Sequence, residues 1–132
     1  MTIVLDVSAC IQIVLKKEKH IEFQEIYEKA TWVIAPNLYT YEITNVLWKY
    51  NRSKIFNHFE CLQYIEDGIN LIDDFINEKD LWKESLKESI NYDHPAYDMF
   101  YAVLARRNDA LLLSNDKDLI KICKKMKIET FG

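Results

Sequence analysis

The sequence has little of what tight turns need, because its 132 residues include only two glycines and two prolines. A sandwich or barrel of many short strands needs far more of these residues between its strands. Apolar residues make up 49% of the chain, which excludes a disordered segment and is enough to form a core. The sequence therefore predicts a helix-rich globular protein, and its length predicts a single domain over residues 1–132.

Paired cysteines and long apolar runs are also missing. Cys10, Cys61 and Cys123 lie far apart and form no CxxC pair, which excludes clustered zinc ligands. An odd number of cysteines in apolar surroundings indicates buried free thiols in a reducing compartment. No apolar run approaches the ~18 residues of a membrane span, and the first residues lack the basic region of a signal peptide. We therefore expect a cytoplasmic protein without a membrane partner.

An excess of positive charge is absent as well, since 21 acidic residues outnumber 17 basic ones and the net charge is −4. Proteins that bind nucleic acids usually carry a basic patch, so the overall charge by itself argues against such a partner. The sequence also has neither a glycine-rich phosphate loop nor a GxSxG motif. Their absence argues against a nucleotide-binding fold and against a serine hydrolase.

Short, continuously apolar runs recur along the chain and predict buried strands of a parallel sheet. The three clear runs are Ile3–Leu5, Trp32–Ala35 and Ala110–Leu113, with a weaker fourth at Leu71–Ile72 and a fifth at Ile128–Phe131. Helical periods fill the segments between them, and strands that alternate with helices form a parallel sheet. The sequence therefore predicts an α/β fold, a three-layer α/β/α sandwich around a central parallel sheet of about four to five strands.

Apolar residues at helical spacing predict the positions of the helices. One helix starts near Tyr41, and His94–Pro95 indicates the entry to another, with the proline close to its first position. Two further rows are expected to face the core: Leu81, Trp82, Ser85, Leu86 and Ile90, and Tyr97, Phe100, Tyr101 and Leu104.

Four acidic residues stand out against this pattern. Asp6 and Asp116 follow two of the apolar runs, so both should lie at the edge of the sheet where sites of open α/β folds gather. Either could also be the N-cap of the helix that follows. Glu42 lies at the start of its predicted helix, where it could complement the helix dipole. Asp98 lies in an apolar helical segment, where an unpaired carboxylate is costly. The four acids together predict a cluster that a hard divalent cation, Mg²⁺ or Mn²⁺, would neutralise.

Each acid lies in a short segment with apolar neighbours, and the four segments are Ile3–Ala9, Tyr41–Leu47, Tyr97–Ala105 and Leu112–Leu119. Their order, spacing and predicted secondary structure resemble those of the PIN-domain nucleases, and within them of the small VapC-type toxins of prokaryotic toxin–antitoxin pairs. The resemblance extends over nearly the whole chain.

This resemblance implies a metal-dependent endoribonuclease that uses Mg²⁺ or Mn²⁺. The residues at the family's catalytic positions are Asp6, Glu42, Asp98 and Asp116, of which Asp6, Asp98 and Asp116 are the expected metal ligands. Ser8 and Ser114 match hydroxyl positions that support these ligands, and Asp118 is an additional nearby acid. Without the four catalytic acids the chain has equal numbers of acidic and basic residues, so its net charge no longer argues against RNA.

The resemblance also implies partners: an RNA substrate, a cognate antitoxin and a second copy of the chain in a homodimer. Lys49, Arg52 and Lys54 follow the Glu42 helix and are candidates for contact with an RNA backbone. The aromatic residues Tyr39, Tyr41, Trp48 and Tyr50 belong either to the core or to a partner surface. Two alternative functions stay open at this point. One is a PIN nuclease of RNA processing or quality control without an antitoxin, and the other is a non-catalytic PIN-fold binding module.

Overall fold

The computed structural model describes all 132 residues and has a five-stranded parallel sheet with seven α-helices. The strands are β1 (Thr2–Leu5), β2 (Trp32–Pro36), β3 (Asp74–Ile76), β4 (Leu111–Leu113) and β5 (Thr130–Phe131). The helices are α1 (Val7–Val14), α2 (His20–Glu28), α3 (Leu38–Arg52), α4 (His58–Asn70), α5 (Trp82–Tyr92), α6 (Ala96–Arg107) and α7 (Lys117–Lys125), with a 3₁₀ turn at Glu78–Asp80. The strand order is β3-β2-β1-β4-β5, and every neighbouring pair is parallel. The predicted fold class is therefore confirmed.

The two faces of the sheet carry separate hydrophobic cores, because successive side chains of a strand point to opposite sides. Ile3 and Leu5 of β1 pack with α1 to α4 on one face, whereas Val4 packs with α6 and α7 on the other. The neighbouring strands alternate in the same way, with Ile34 and Leu112 beside Val4. Both faces are covered by helices, which is why these strands are apolar at every position.

The weakest of the predicted strands was placed wrongly. Leu71 follows the last residue of α4, and Ile72 is buried in the turn that comes next. The fourth strand is instead Asp74–Ile76, whose residues pair with Ile34–Pro36 of β2. This strand lies at the edge of the sheet and is partly exposed, so it lacks the continuous apolar run that identifies the central strands.

The two predicted apolar rows are only partly buried. Leu81, just before α5, and Ser85 within it lie inside, whereas Trp82, Leu86 and Ile90 are 49%, 51% and 72% exposed. Tyr97 of α6 is also exposed, although Tyr101 and Leu104 are buried as expected. An outer helix buries only one stripe of its surface, so apolar residues beyond that stripe remain in solvent.

Helices α3 and α4 approach each other closely at Gly68. A Cβ atom added at this position would lie 2.2 Å from Cδ1 of Ile43 and 2.9 Å from Sγ of Cys10. The Tyr39 hydroxyl donates a hydrogen bond to the Gly68 carbonyl at 2.7 Å, which ties the two helices together. All three cysteines are free and buried, as predicted. None of the helices combines the length and hydropathy that crossing a membrane requires.

Candidate active site

The site is built where β1 and β4 end side by side. Leu5 pairs with Leu113 in the sheet, and the backbone N–H of Asp6 donates to the Leu113 carbonyl at 3.2 Å. Asp6 follows β1 directly, and Asp116, three residues after β4, directly precedes α7. Residues from opposite ends of the sequence therefore meet at one edge of the sheet, as the strand pattern predicted.

Asp6 is the most buried of the four acids, with 5% of its surface exposed. Its Oδ1 accepts hydrogen bonds from the Ala9 backbone N–H at 3.0 Å and from the Ser8 hydroxyl at 2.7 Å. Its Oδ2 accepts one from the Ser114 hydroxyl at 2.5 Å. Burial removes water from the carboxylate and raises the pKa of Asp6 to about 6, although the hydrogen bonds oppose this shift. Asp6 thus caps α1 and also lines the site.

The two serines connect the ends of β1 and β4. The Ser8 hydroxyl accepts a hydrogen bond from the Asn115 backbone N–H at 2.7 Å, and the Ser114 hydroxyl accepts one from the Asp116 backbone N–H at 3.0 Å. Asp116 itself caps α7, because its Oδ1 accepts from the backbone N–H groups of Asp118 and Leu119. The serines therefore lie where supporting hydroxyls were expected, in contact with Asp6.

Glu42 lies on α3, which begins four residues earlier, at Leu38, rather than near Tyr41. The residue is therefore beyond the first turn, and its interpretation as a partner of the helix dipole is wrong. The Tyr101 hydroxyl of α6 donates a hydrogen bond to Glu42 Oε1. Burial raises the pKa of Glu42 to about 7, against the lowering effect of the Tyr101 hydrogen bond.

Asp98 lies in the first turn of α6, which begins directly after Pro95. Its Oδ2 is 2.7 Å from Nε2 of His94, four residues earlier. Burial raises the pKa of Asp98, and the His94 hydrogen bond opposes that change. The prediction of a helix entry at His94–Pro95 is thus correct, but His94 has a second role as the partner of Asp98.

One cavity of about 200 Å³ brings the four acids together. Its lining consists of Asp6, Val7, Ser8, Glu42, Val46, Asp98, Tyr101, Asp116 and Leu119. No lysine or arginine lines this cavity. Exposed Asp118 lies instead in a neighbouring cavity of about 390 Å³, which Asp98 and Asp116 also border.

The donor chemistry of the cavity fits a hard divalent cation, since all four acids offer carboxylate oxygens. In their present orientations, no three carboxylate, imidazole or thiol groups converge on one point as a complete ligand set. The reason lies in their hydrogen bonds. Asp6 is held by two serines, Glu42 by Tyr101 and Asp98 by His94. An ion would compete with these hydrogen bonds for the carboxylate oxygens.

The predicted RNA-contacting residues lie elsewhere. Lys49, Arg52 and Lys54 are exposed at the far end of α3 and line neither of these two cavities. The Arg52 guanidinium lies 4.8 Å from the centre of the Trp48 ring. Of the aromatic residues in this segment, Tyr39 is fully buried, whereas Tyr41 and Trp48 are largely exposed.

Comparison with known families decides what kind of domain this is. The sequence profile of the PIN domain matches residues 3–125. The chain belongs to the PIN domain family. PIN domains are generally nucleases and typically use divalent metal ions. The acidic cavity at the sheet edge is therefore the candidate active site of a PIN domain.

Two solved structures share the PIN fold of this chain. PAE2754 from Pyrobaculum aerophilum has a TM-score of 0.71 at 20% identity, and the match covers 92% of this chain and 87% of that one. VapBC2 from Rickettsia felis, solved bound to a DNA fragment from its promoter, has a TM-score of 0.66 at 14% identity with full coverage of both chains. At such identities the likeness demonstrates a common fold. No curated protein sequence matches the chain.

Sequence reasoning did not identify His94 and Tyr101 as partners of the acids. Tyr101 belongs to an apolar row, so its spacing indicated only core packing. His94 and Asp98 are four residues apart, which is the spacing of neighbours on a helix face, and this could have revealed their contact. For Tyr101 no local signal exists, because Glu42 is 59 positions away.

Proposed function

We propose that this PIN domain is a metal-dependent endoribonuclease whose catalytic residues are Asp6, Glu42, Asp98 and Asp116. The observation that carries the proposal is their meeting in one cavity without a lysine or arginine. Four carboxylates so placed repel one another, and burial already raises the pKa values of three of them. A binding module would gain nothing from this arrangement, whereas a divalent cation would neutralise it.

In this proposal Asp6, Asp98 and Asp116 hold Mg²⁺ or Mn²⁺. A divalent ion in such a site supplies activation of a water and stabilisation of the oxygen that leaves the phosphodiester. The protein's own residues orient the ligands: Ser8 and Ser114 fix both oxygens of Asp6 through hydrogen bonds. Tyr101 fixes Glu42, which lines the cavity and would hold a proton of a water there.

Two exposed apolar surfaces support the proposed protein partners, which are a second copy of the chain and a cognate antitoxin. The first is the row of Trp82, Leu86 and Ile90 on α5. The second is a groove of about 270 Å³ between α3 and α4 whose lining includes Trp48 and Leu62. A symmetric dimer needs a surface that fits its own copy. We assign the convex row to the dimer and the concave groove to an antitoxin segment. A likeness to VapBC2 accords with a toxin role.

The substitution Asp98→Asn tests the catalytic assignment. It removes the charge of an expected ligand and keeps the size of the side chain, so RNA cleavage with Mg²⁺ or Mn²⁺ should fall by at least about a hundredfold. The matched control is Asp67→Asn, the same change at an exposed position of α4, which should cleave like the original protein. Cleavage would be followed on labelled single-stranded RNA. Full activity of Asp98→Asn would refute the assignment.

A further inference from the structure

The exposed side of α7 carries a row of lysines that the proposed function has not used. Lys117, Lys121, Lys124 and Lys125 are all exposed, and their spacing of four, three and one residues places them on one side of the helix. They border a recess of about 570 Å³ together with Ile120 and Gly132. No acidic side chain lines this recess. We call this group of four residues the α7 lysine row.

The lysines of the α7 lysine row form no ion pairs within the protein. None of the four lysines has a carboxylate within 4.0 Å, and Asp118, the acid nearest in sequence, pairs with none of them. Like charges four residues apart destabilise a helix by a few tenths of a kcal/mol per pair. The helix dipole explains Lys124 and Lys125 in the last turn but not Lys117, whose charge at the first position is unfavourable. The lysines of the row are therefore free to pair with a bound anion.

The row continues into the candidate active site. Lys121 and Lys125 also line the cavity of about 390 Å³ that Asp98 and Asp116 border. A chain of negative charges on the α7 lysine row would therefore pass directly to the carboxylates. From Lys117 to Lys125 the helix rises about 12 Å, which corresponds to roughly three phosphates of a stacked strand.

We propose that the α7 lysine row binds the phosphodiester backbone of single-stranded RNA and delivers it to the acidic cavity. This inference rests on the proposed ribonuclease function and names the surface by which its substrate is held. It replaces Lys49, Arg52 and Lys54 as the main backbone contact. Arg52 lies ten residues beyond Glu42, or about 15 Å along α3, and these residues share no cavity with the carboxylates.

The experiment measures RNA affinity as a function of salt. Binding of a labelled single-stranded RNA is followed by fluorescence anisotropy in EDTA, so that no cleavage occurs, between about 50 and 200 mM salt. The test variant is Lys121→Gln/Lys124→Gln/Lys125→Gln. The matched control is Lys29→Gln/Lys79→Gln/Lys87→Gln, which removes the same charge from exposed lysines that line none of the cavities described here.

Each phosphate that a protein neutralises on a single strand adds about 0.7 to the steepness of log affinity against log salt. Removal of three lysines should therefore reduce the slope by about 2 and the affinity by roughly tenfold or more in the α7 variant. The control should retain the slope of the original protein. An α7 variant that changes no more than the control overturns the inference. The same measurement is made with polyglutamate. An α7 variant that loses polyglutamate binding but keeps its RNA binding also overturns the inference, because the face would then fit an acidic protein segment.

The two proposals fail in different ways. A protein that binds RNA through the α7 lysine row but cleaves none with Mg²⁺ or Mn²⁺ refutes the ribonuclease function and leaves the binding surface supported. A protein that cleaves RNA while its α7 variant keeps the original salt dependence refutes the surface and leaves the nuclease supported. Folding of each variant is checked by circular dichroism, and Lys121→Arg, which keeps the charge, should keep the affinity.

Discussion

At the scale of single residues, two opposing effects act on the ionisation of the Asp6 carboxyl group. It holds the N-terminus of α1 and the ends of two strands through hydrogen bonds, which favour its charged form. Burial favours the neutral form more strongly and raises the pKa of Asp6 from 3.8 to about 6. Without a cation, Asp6 of the folded protein therefore stays protonated up to about pH 6. In the unfolded chain the same group has already lost its proton above about pH 4. Stability then falls as the pH rises from about 4 to about 6.

The substitution Asp6→Asn tests this pH dependence. In EDTA, the free energy of unfolding of the original protein should fall between about pH 4 and pH 7, with Asp6 contributing on the order of 2–3 kcal/mol. Glu42, whose pKa is also raised, adds to the fall at the upper end of this range. Asp6→Asn cannot ionise, so its free energy of unfolding should depend less on pH. Urea unfolding at a series of pH values measures both proteins.

Addition of Mn²⁺ completes the same test, because an ion that binds only the folded state raises its stability. The melting temperature of the original protein at neutral pH should rise with Mn²⁺ concentration, and that of Asp6→Asn should rise much less. An equal response of the two proteins would argue that the carboxylates do not hold the ion. No response in either would favour the non-catalytic binding module.

At this scale the sequence predicted the acids and the two serines beside Asp6, but not His94 or Tyr101. Asp6 and Asp98 were identifiable because a carboxylate beside continuous apolar residues conflicts with the local pattern. Tyr101 conflicts with nothing in its surroundings, since a tyrosine in an apolar row is an ordinary core residue. Its role depends on the hydroxyl, and only the fold brings that hydroxyl to Glu42. Contacts between distant segments of this kind leave no periodic signal.

At the scale of elements, the contact between α3 and α4 depends on the absence of a side chain at Gly68. The substitution Gly68→Ala places a methyl group against the buried side chains of Ile43 and Cys10. Such overpacking costs about 1–3 kcal/mol, and the better helix propensity of alanine offsets roughly 1 kcal/mol of it. We expect a net loss of up to about 2 kcal/mol in the free energy of unfolding.

A double-mutant cycle identifies the atom responsible for this loss. Ile43→Val removes Cδ1, the atom closest to the added methyl group. The double variant Gly68→Ala/Ile43→Val should therefore be more stable than the sum of the two single changes predicts, by about 0.5 kcal/mol or more. Simple additivity in urea unfolding would show that Ile43 is not the residue displaced.

Element boundaries were predicted well where burial is uniform and poorly where it changes. The central strands are covered on both faces, so β1 and β4 could be located from three consecutive apolar residues each. The edge strand Asp74–Ile76 has one side open to solvent, and the better apolar pair Leu71–Ile72 belongs to a turn. Helix α3 begins at Leu38, earlier than its apolar row suggested. The Asn37 side chain makes no N-cap hydrogen bond, and the Leu38 N–H donates instead to Glu78, which is 40 positions away and leaves no local signal.

At the scale of the whole molecule, the row of Trp82, Leu86 and Ile90 on α5 predicts self-association. These residues lie four positions apart, so they form a convex apolar ridge that can pack against its own copy around a two-fold axis. Light scattering should find a dimer of the original protein, and Leu86→Lys should convert it to a monomer.

The matched control for this prediction is Leu62→Lys, at a similarly exposed leucine in the groove between α3 and α4. It should remain a dimer. If Leu62→Lys were a monomer and Leu86→Lys a dimer, the groove would be the dimer surface instead of the row on α5. A monomer of the original protein at all concentrations would contradict the dimer.

The pairing of β1 with β4 also determines when the cavity can form during synthesis. The strand β1 is made well before its neighbour β4 and before the proposed ligands Asp98 and Asp116. Until then Asp6 lacks Ser114, and the edge of the sheet that forms the cavity does not exist. The cavity therefore cannot form in a nascent chain before β4 and Asp116 have been made. A messenger cut before the codons of β4 yields a fragment without the complete cavity.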